Sequence, residues 1–242
     1  MKKNRLRGKL KGYFFVMKLY RIVPHRLFGF VSMIGVLSKW ISCQRNIKFN
    51  DFYTSGFDYA KRYDLYSYLI DNEALNGAID FLEFGVSKGL SFKWWAEHIT
   101  DKQAEFFGFD TFTGLPEDWG SFKKGDMDNK NEPPVMNDER CHFYQGLFQQ
   151  TLPEFLKSYR SGKRKVIHMD ADLYTSTLFV LTSLSPYLRK KDIILFDEFN
   201  VPKHEFKAFS EWTSSYYINY EVIGAVNNFY QVAIRIDLPE KR

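Results

Sequence analysis

Cysteine is scarce in this sequence: Cys43 and Cys141 are the only two in 242 residues. That excludes a disulfide framework or a cysteine-rich zinc site, and a reducing, cytoplasmic setting is expected. Acidic residues are missing altogether from residues 1–50, which hold 12 of the 34 Lys and Arg. The rest of the chain therefore carries 22 basic against 29 acidic residues, a net of −7. The overall charge of +5 belongs to the leader, so the body lacks the basic surface of a nucleic-acid-binding fold, and no nucleic-acid partner is expected. The longest uncharged run of the leader, LFGFVSMIGVLS at 27–38, is 12 residues long, against the roughly 20 that span a bilayer. A cleaved signal peptide is disfavoured, because the basic region is long and SKWISC follows the apolar run. Internal repeats and low-complexity tracts are absent too.

What is present suits one large domain. At 45% hydrophobic content the chain can bury a sizeable core. We read residues 1–50 as a basic, aromatic-rich N-terminal extension and residues 51–242 as the domain. In the extension Phe14, Phe15, Tyr20, Phe28, Phe30 and Trp40 are scattered among Lys and Arg, a pattern attractive to anionic lipid headgroups. Peripheral contact with the inner face of a membrane is one expectation. A helical cap or a homo-oligomer contact is the other.

The body alternates strand and helix. DYAKRYDLYSYLIDNEAL has helical spacing and should stop at Gly77; AIDFLEFG is a strand entering a glycine turn; SFKWWAEHI is a helix with Ser91 as its cap. QAEFFGFD and CHFYQGLF are the next strands, and TLPEFLKSYR is a helix with Thr151 and Glu154 at capping-box spacing. KVIHMD and DIILFD are two more, joined through the apolar helix STLFVLTSLSPYL. YEVIGAV and FYQVAIRI, separated by Asn227 and Asn228, predict a tight antiparallel hairpin. The expected architecture is α/β and Rossmann-like: a mostly parallel seven-stranded sheet with helices on both faces and a C-terminal antiparallel hairpin. The polar stretch 116–140 is either a substrate lid or a plain insertion.

Gly85 and Gly89 sit between strand and helix, where backbone approaches a ligand closely, and Asp110 ends the adjacent strand, where a carboxylate can grip ribose hydroxyls. Neither a third fingerprint glycine nor a Gly-Lys-Ser/Thr close is present, so dinucleotide and P-loop motifs are unmatched.

The stretches FLEFGVSKGLS, GFDTFTGLPEDW, GLFQQTLPEFL, HMDADLYTST with LSPYL, and FDEFNVPKHEFKAFSEW resemble, in order, the motifs of macrocin O-methyltransferase-like, class I S-adenosylmethionine-dependent methyltransferases. The resemblance covers residues 75–235. It implies that the backbone of Gly85 and Gly89, with Ser91, meets the cofactor's methionine carboxylate; that Glu83 faces its amino group and Asp110 its ribose; and that Gly146 and Phe148 belong to the adenine pocket.

Two acidic clusters follow the fourth and fifth strands of this reading. Asp170 on one side and Asp197 with Glu198 on the other should converge beyond the carboxyl ends of the sheet. Three carboxylates repel, and an oxygen-only set suits a hard divalent cation, Mg2+, Mn2+ or Ca2+, rather than zinc. The resemblance agrees, and it favours Asp170 over Asp172 as the ligand. For the base the candidates are Asp170, then Asp172 and His204, while His168 reads as a satisfied core residue. The expected function is metal-assisted O-methylation, with S-adenosylmethionine and Mg2+ or Mn2+, of a small-molecule or glycan hydroxyl on a sugar or similar polyhydroxylated acceptor. The alternatives are a nicotinamide-dependent enzyme on a Rossmann-like fold and a non-catalytic, membrane-associated module.

Overall fold

The computed structural model describes residues 2–238 and divides into two units, one ending at Cys43 and one beginning at Gln44. The first holds α1 (Lys2–Val16), a 3-10 turn (Leu19–Arg21) and α2 (His25–Cys43). Lys18, in the left-handed region at φ 51°, ends the first helical stretch. Because Arg26 and Lys39 lie inside α2, the helix runs 19 residues and is long and apolar enough to cross a membrane by length and composition. The 12-residue uncharged run understated it.

The second unit runs β1 (Phe49–Asn50), α3 (Lys61–Asn72), β2 (Ile79–Phe84), α4 (Leu90–His98), β3 (Glu105–Asp110), β4 (Cys141–Gln145), α5 (Phe148–Ser158), β5 (Arg164–Met169), α6 (Tyr174–Leu184), β6 (Ile193–Phe196), α7 (Glu205–Ser215), β7 (Tyr220–Val226) and β8 (Gln231–Ile236). The sheet order is β1-β7-β8-β6-β5-β2-β3-β4, parallel except where β8 pairs with β6 and β7. The expected Rossmann-like architecture is therefore the observed one, with eight strands instead of seven. The extra strand, β1, pairs Phe49 and Asn50 with Gly224 and Ala225. Two residues are too few to show a period of two, so the sequence does not mark this strand.

Burial follows from coverage of both faces. Every residue of β2 is buried, as a parallel strand covered by helices on both sides requires. Phe92 and Trp95 of α4 pack on Phe81 and Phe106 on one face, and Phe148 and Phe155 of α5 pack on Phe84 and Phe109 on the other. Fully burying an aromatic of this size contributes about 1.5–3 kcal/mol. These side chains hold the helices to the sheet.

Several local expectations change. α3 stops at Asn72, with Ala74 in the left-handed region, ahead of Gly77. Ser91 does not cap α4; Gly89 does, at φ 74°. α5 starts at Phe148, so Thr151 lies inside it, bonded to the Leu147 carbonyl, and Glu154 pairs with Lys157 rather than closing a capping box. The C-terminal turn is longer than two residues: Asn227, Asn228 and Phe229 all have positive φ, and β8 begins at Gln231. The Asn227 and Asn228 amides donate to the carbonyls of Asp58 and Thr54, which opens the hairpin end toward that segment.

Candidate active site

Register assembles the site. Phe84 lies beside Phe109 and Met169, and Met169 beside Phe196. The next residues, Gly85, Asp110, Asp170 and Asp197, therefore stand along one edge. The N–H groups of Gly85, Asp170 and Asp197 continue the ladder to Phe109, Phe84 and Met169, each at 3.0 Å. That edge includes the point where strand order reverses around β2, the place where open α/β sheets bind ligands.

A cleft of about 650 Å³, open mouth included, lies there, lined by Gly85, Ser87, Asp110, Leu115, Met127, Phe148, Asp170, Asp172 and Ser176 among others. Gly85 has φ 97°, and a Cβ on it would collide with the backbone carbonyl of Asp170. Close passage of the two strand ends therefore demands glycine. Asp110 lines the cleft, yet its oxygens already accept from the N–H groups of Val86 (2.8 Å), Ser87 (2.7 Å) and Phe112 (2.7 Å). It clamps the glycine turn to the following loop.

The remaining cofactor positions are placed unevenly. The Gly85 and Gly89 N–H groups are bonded to Phe109 and Val86 carbonyls, and Gly89 is covered by Pro134. Neither N–H is free for a carboxylate. Glu83 and Ser91 are buried behind the cleft: the Ser91 hydroxyl donates to Glu83 Oε1, His168 Nδ1 lies 3.2 Å from the same oxygen, and Tyr66 Oη lies 3.1 Å from His168 Nε2. His168 is thus the satisfied core residue expected, while Glu83 Oε2 is buried without a partner. Phe148 lines the cleft, edge-on to Phe84 at 5.4 Å. Gly146 instead lines an adjoining depression with Thr111, Leu115 and Gln150.

The acidic residues converge, but not in the expected combination. Asp170, Asp172 and Glu198 each bring one oxygen within 4.8 Å of the others. Asp172 replaces Asp197 in that set, reaching inward from a left-handed backbone at φ 56°. Asp197 is shared: its Oδ2 accepts from the Tyr59 hydroxyl and stands 3.5 Å from Nη1 of buried Arg62, while its Oδ1 is buried without a hydrogen-bond partner. Arg62 Nη1 also donates to Tyr59 Oη at 2.6 Å. Glu205, at the start of α7, accepts from the Glu198 N–H at 3.0 Å.

So many buried carboxylates are electrostatically uncomfortable. Burial first, then Asp197 and Asp172, push Asp170 well above the carboxylate range; burial, then Asp170 and Asp197, do the same to Glu198, and burial, then Asp197, to Glu205. Burial, then Asp197 and Asp110, raise Asp172 to about 7. Oxygens of Asp197, Glu198 and Glu205 are buried with no hydrogen-bond partner. Unpaired, desolvated acceptors of this kind are what a hard cation satisfies.

His204 does not line the cleft. It is the residue before α7, its Nδ1 buried without a partner, edge-on to Trp119 at 6.5 Å, and burial lowers its pKa. The polar stretch 116–140 is tied down at both ends: Leu115 N–H to Asp126 carbonyl at 2.9 Å, Asn131 N–H to Phe112 carbonyl at 3.0 Å, and the Thr175 hydroxyl to Glu117 at 2.8 Å. With its flank it supplies Leu115, Pro116 and Met127 to the cleft wall. Sequence reading missed Tyr59, Arg62 and Glu205. A tyrosine and an arginine on a helical period read as core and solvated face, and nothing local in the sequence marks them otherwise.

Residues 82–199 match a family model described as a methyltransferase domain. No curated protein matches the chain by sequence. Among solved structures, CalS11, a calicheamicin methyltransferase, superposes with a TM-score of 0.58 at 19% identity over 88% of this chain and 93% of that one. An apo structure of CalS11, described as a TDP-rhamnose 3'-O-methyltransferase, gives 0.53 at 19% identity over 85% and 93%. The O-methyltransferase NovP gives 0.54 at 20% identity over 72% and 79%. The chain shares the Rossmann-like fold of these methyltransferases, and its stretch 82–199 is similar to the methyltransferase-domain model.

Proposed function

We propose that this protein is an S-adenosylmethionine-dependent O-methyltransferase of the macrocin O-methyltransferase-like kind, assisted by Mg2+ or Mn2+, acting on a hydroxyl of a sugar or similar polyhydroxylated molecule. One observation carries the reading: Asp170 and Asp172 line the same cleft as Gly85, Asp110 and Phe148, so a carboxylate cluster and a nucleotide-type wall share one space. The acceptor class rests on the fold shared with CalS11 and NovP, whose descriptions name O-methylation or a sugar nucleotide.

The residues fit both groups. The cofactor, when bound, supplies an electrophilic methyl group on sulfur. Phe148, Leu115 and Met127 offer an apolar wall for its adenosine, and Asp110 lies at the cleft edge to receive ribose hydroxyls once it shares its oxygens with them. The cation, when bound, supplies Lewis acidity that makes an alcohol a better nucleophile; Asp170, Asp172 and Glu198 would hold it, an all-oxygen donor set in which Glu198 Oε2 is a buried acceptor without a partner. Of the three, Asp170 is the least buried, and it takes the proton of the acceptor hydroxyl. Leu115, Pro116 and Met127 exclude water from that side. Holding the acceptor oxygen in line accounts for much of the barrier reduction in a displacement of this type.

The test is methyl transfer from S-adenosylmethionine to nucleotide-sugar acceptors, with and without EDTA. Transfer abolished by EDTA and restored by Mg2+ or Mn2+ is expected. Full transfer in EDTA with no retained metal refutes the cation, and heat stabilisation by NAD but not by S-adenosylhomocysteine refutes the methyltransferase reading.

A further inference from the structure

The N-terminal unit presents apolar surface that the methyltransferase reading does not use. The most hydrophobic 18-residue window of α2 has a mean hydropathy of 1.2, whereas the whole chain averages −0.37. The helix carries Leu27, Phe28, Phe30, Val31, Met33 and Ile34 within two turns. Leu37 alone among its residues is buried. Phe15, Val16, Ile22, Phe28 and Val31 are 57–81% exposed. Exposed apolar side chains in this number are costly in water and point to an interaction site.

Charge selects the partner. All 12 ionised side chains of residues 1–50 are positive. Six of them, Lys2 to Lys11, fall in the first part of α1, ahead of the aromatic end Tyr13–Phe15. Pairing two copies of this unit would oppose like charges. Nucleic acid would answer the charge but offers no apolar medium to α2. A bilayer with anionic headgroups supplies both. We infer that α1 and α2 form a docking unit for anionic lipid bilayers, with α1 on the headgroups and the apolar residues of α2 in the acyl boundary beneath them. Arg26 and Lys39, within α2, extend their stems along apolar surface and keep their charged ends in the headgroup layer.

The experiment floats the full-length protein with phosphatidylglycerol-containing vesicles or with phosphatidylcholine vesicles alone, at low and high salt. Flotation with the anionic vesicles only, weakening as salt rises, is expected. Lys9→Gln with Lys11→Gln should lower partitioning by about fivefold per charge at low salt. Phe28→Asp with Ile34→Asp should abolish flotation while leaving the heat unfolding of the domain unchanged. Brominated acyl chains should quench tryptophan emission in the parent and not in that variant. Equal flotation with neutral vesicles, no flotation with self-association instead, or anionic binding untouched by Phe28→Asp with Ile34→Asp would each overturn the inference.

Discussion

Tyr59 donates its hydroxyl to Oδ2 of Asp197, 138 residues further along the chain, and the Arg62 guanidinium stands 3.5 Å from the same oxygen. A carboxylate that its sequence position assigns to the metal-binding set is thereby held as the partner of a buried arginine.

Asp197→Ala should therefore damage stability as well as turnover. Removing one member of a buried ion pair leaves the other uncompensated and costs about 3–5 kcal/mol; both side chains here are at least nine-tenths buried. Tyr59→Phe keeps the pair and should cost closer to 1 kcal/mol. Urea unfolding distinguishes them. Equal stability of Asp197→Ala and the parent would show that the ion pair contributes nothing.

Cofactor binding should appear as heat stabilisation. S-adenosylhomocysteine at about 100 times its Kd should add about 2.7 kcal/mol, and NAD none. Because Asp110 ties the Val86 and Ser87 N–H groups to the Phe112 loop, Asp110→Ala should shrink the ligand-induced shift and lower the unliganded midpoint as well. An unchanged ligand shift in Asp110→Ala would remove this residue from the site.

The pH dependence has a defined sign. Asp170, Asp172, Glu198 and Glu205 are raised by burial and by one another, Asp172 to about 7. Between the unfolded carboxylate range near pH 4 and about pH 7, the folded state holds more protons than the unfolded one, so stability falls as pH rises. In EDTA the unfolding midpoint should drop across that interval. Added Mg2+ should raise it more at about pH 8 than at about pH 5, since the ion binds ionised carboxylates. A midpoint that climbs through this interval in EDTA contradicts the assignment of the cluster.

The glycine turn offers a contrast between two substitutions. Gly85→Ala combines a φ of 97° with a Cβ lodged against the Asp170 backbone and should cost about 3 kcal/mol or more. Gly89→Ala meets side chains rather than backbone, the Pro134 ring at 2.7 Å and Val86 Cγ1 at 3.9 Å, and should cost less than Gly85→Ala, about 1–2 kcal/mol for the left-handed backbone plus whatever shift of the Pro134 loop it forces. Equal unfolding midpoints in denaturant would refute the close approach of the two strand ends.

Much of this was legible in one dimension. Apolar runs ending in Gly85, Asp110, Asp170 and Asp197 mark strands by hydrophobicity and length alone. Their alternation with helical spacing dictates a parallel sheet, because connections of that length force crossovers. The position of a site beyond the carboxyl ends follows from that topology, and so does the gathering of acids there. Those are properties of backbone periodicity, which sequence carries directly. The direction in which each side chain turns at the end of its strand is not such a property. Asp172 enters the cluster through a left-handed backbone, Asp197 gives one oxygen to Tyr59 and Arg62, and Glu83 sinks into a chain with Ser91, His168 and Tyr66. Each outcome depends on partners far off in sequence, brought close by packing. The competition between desolvation and hydrogen bonding that settles those orientations exists only once the chain has folded.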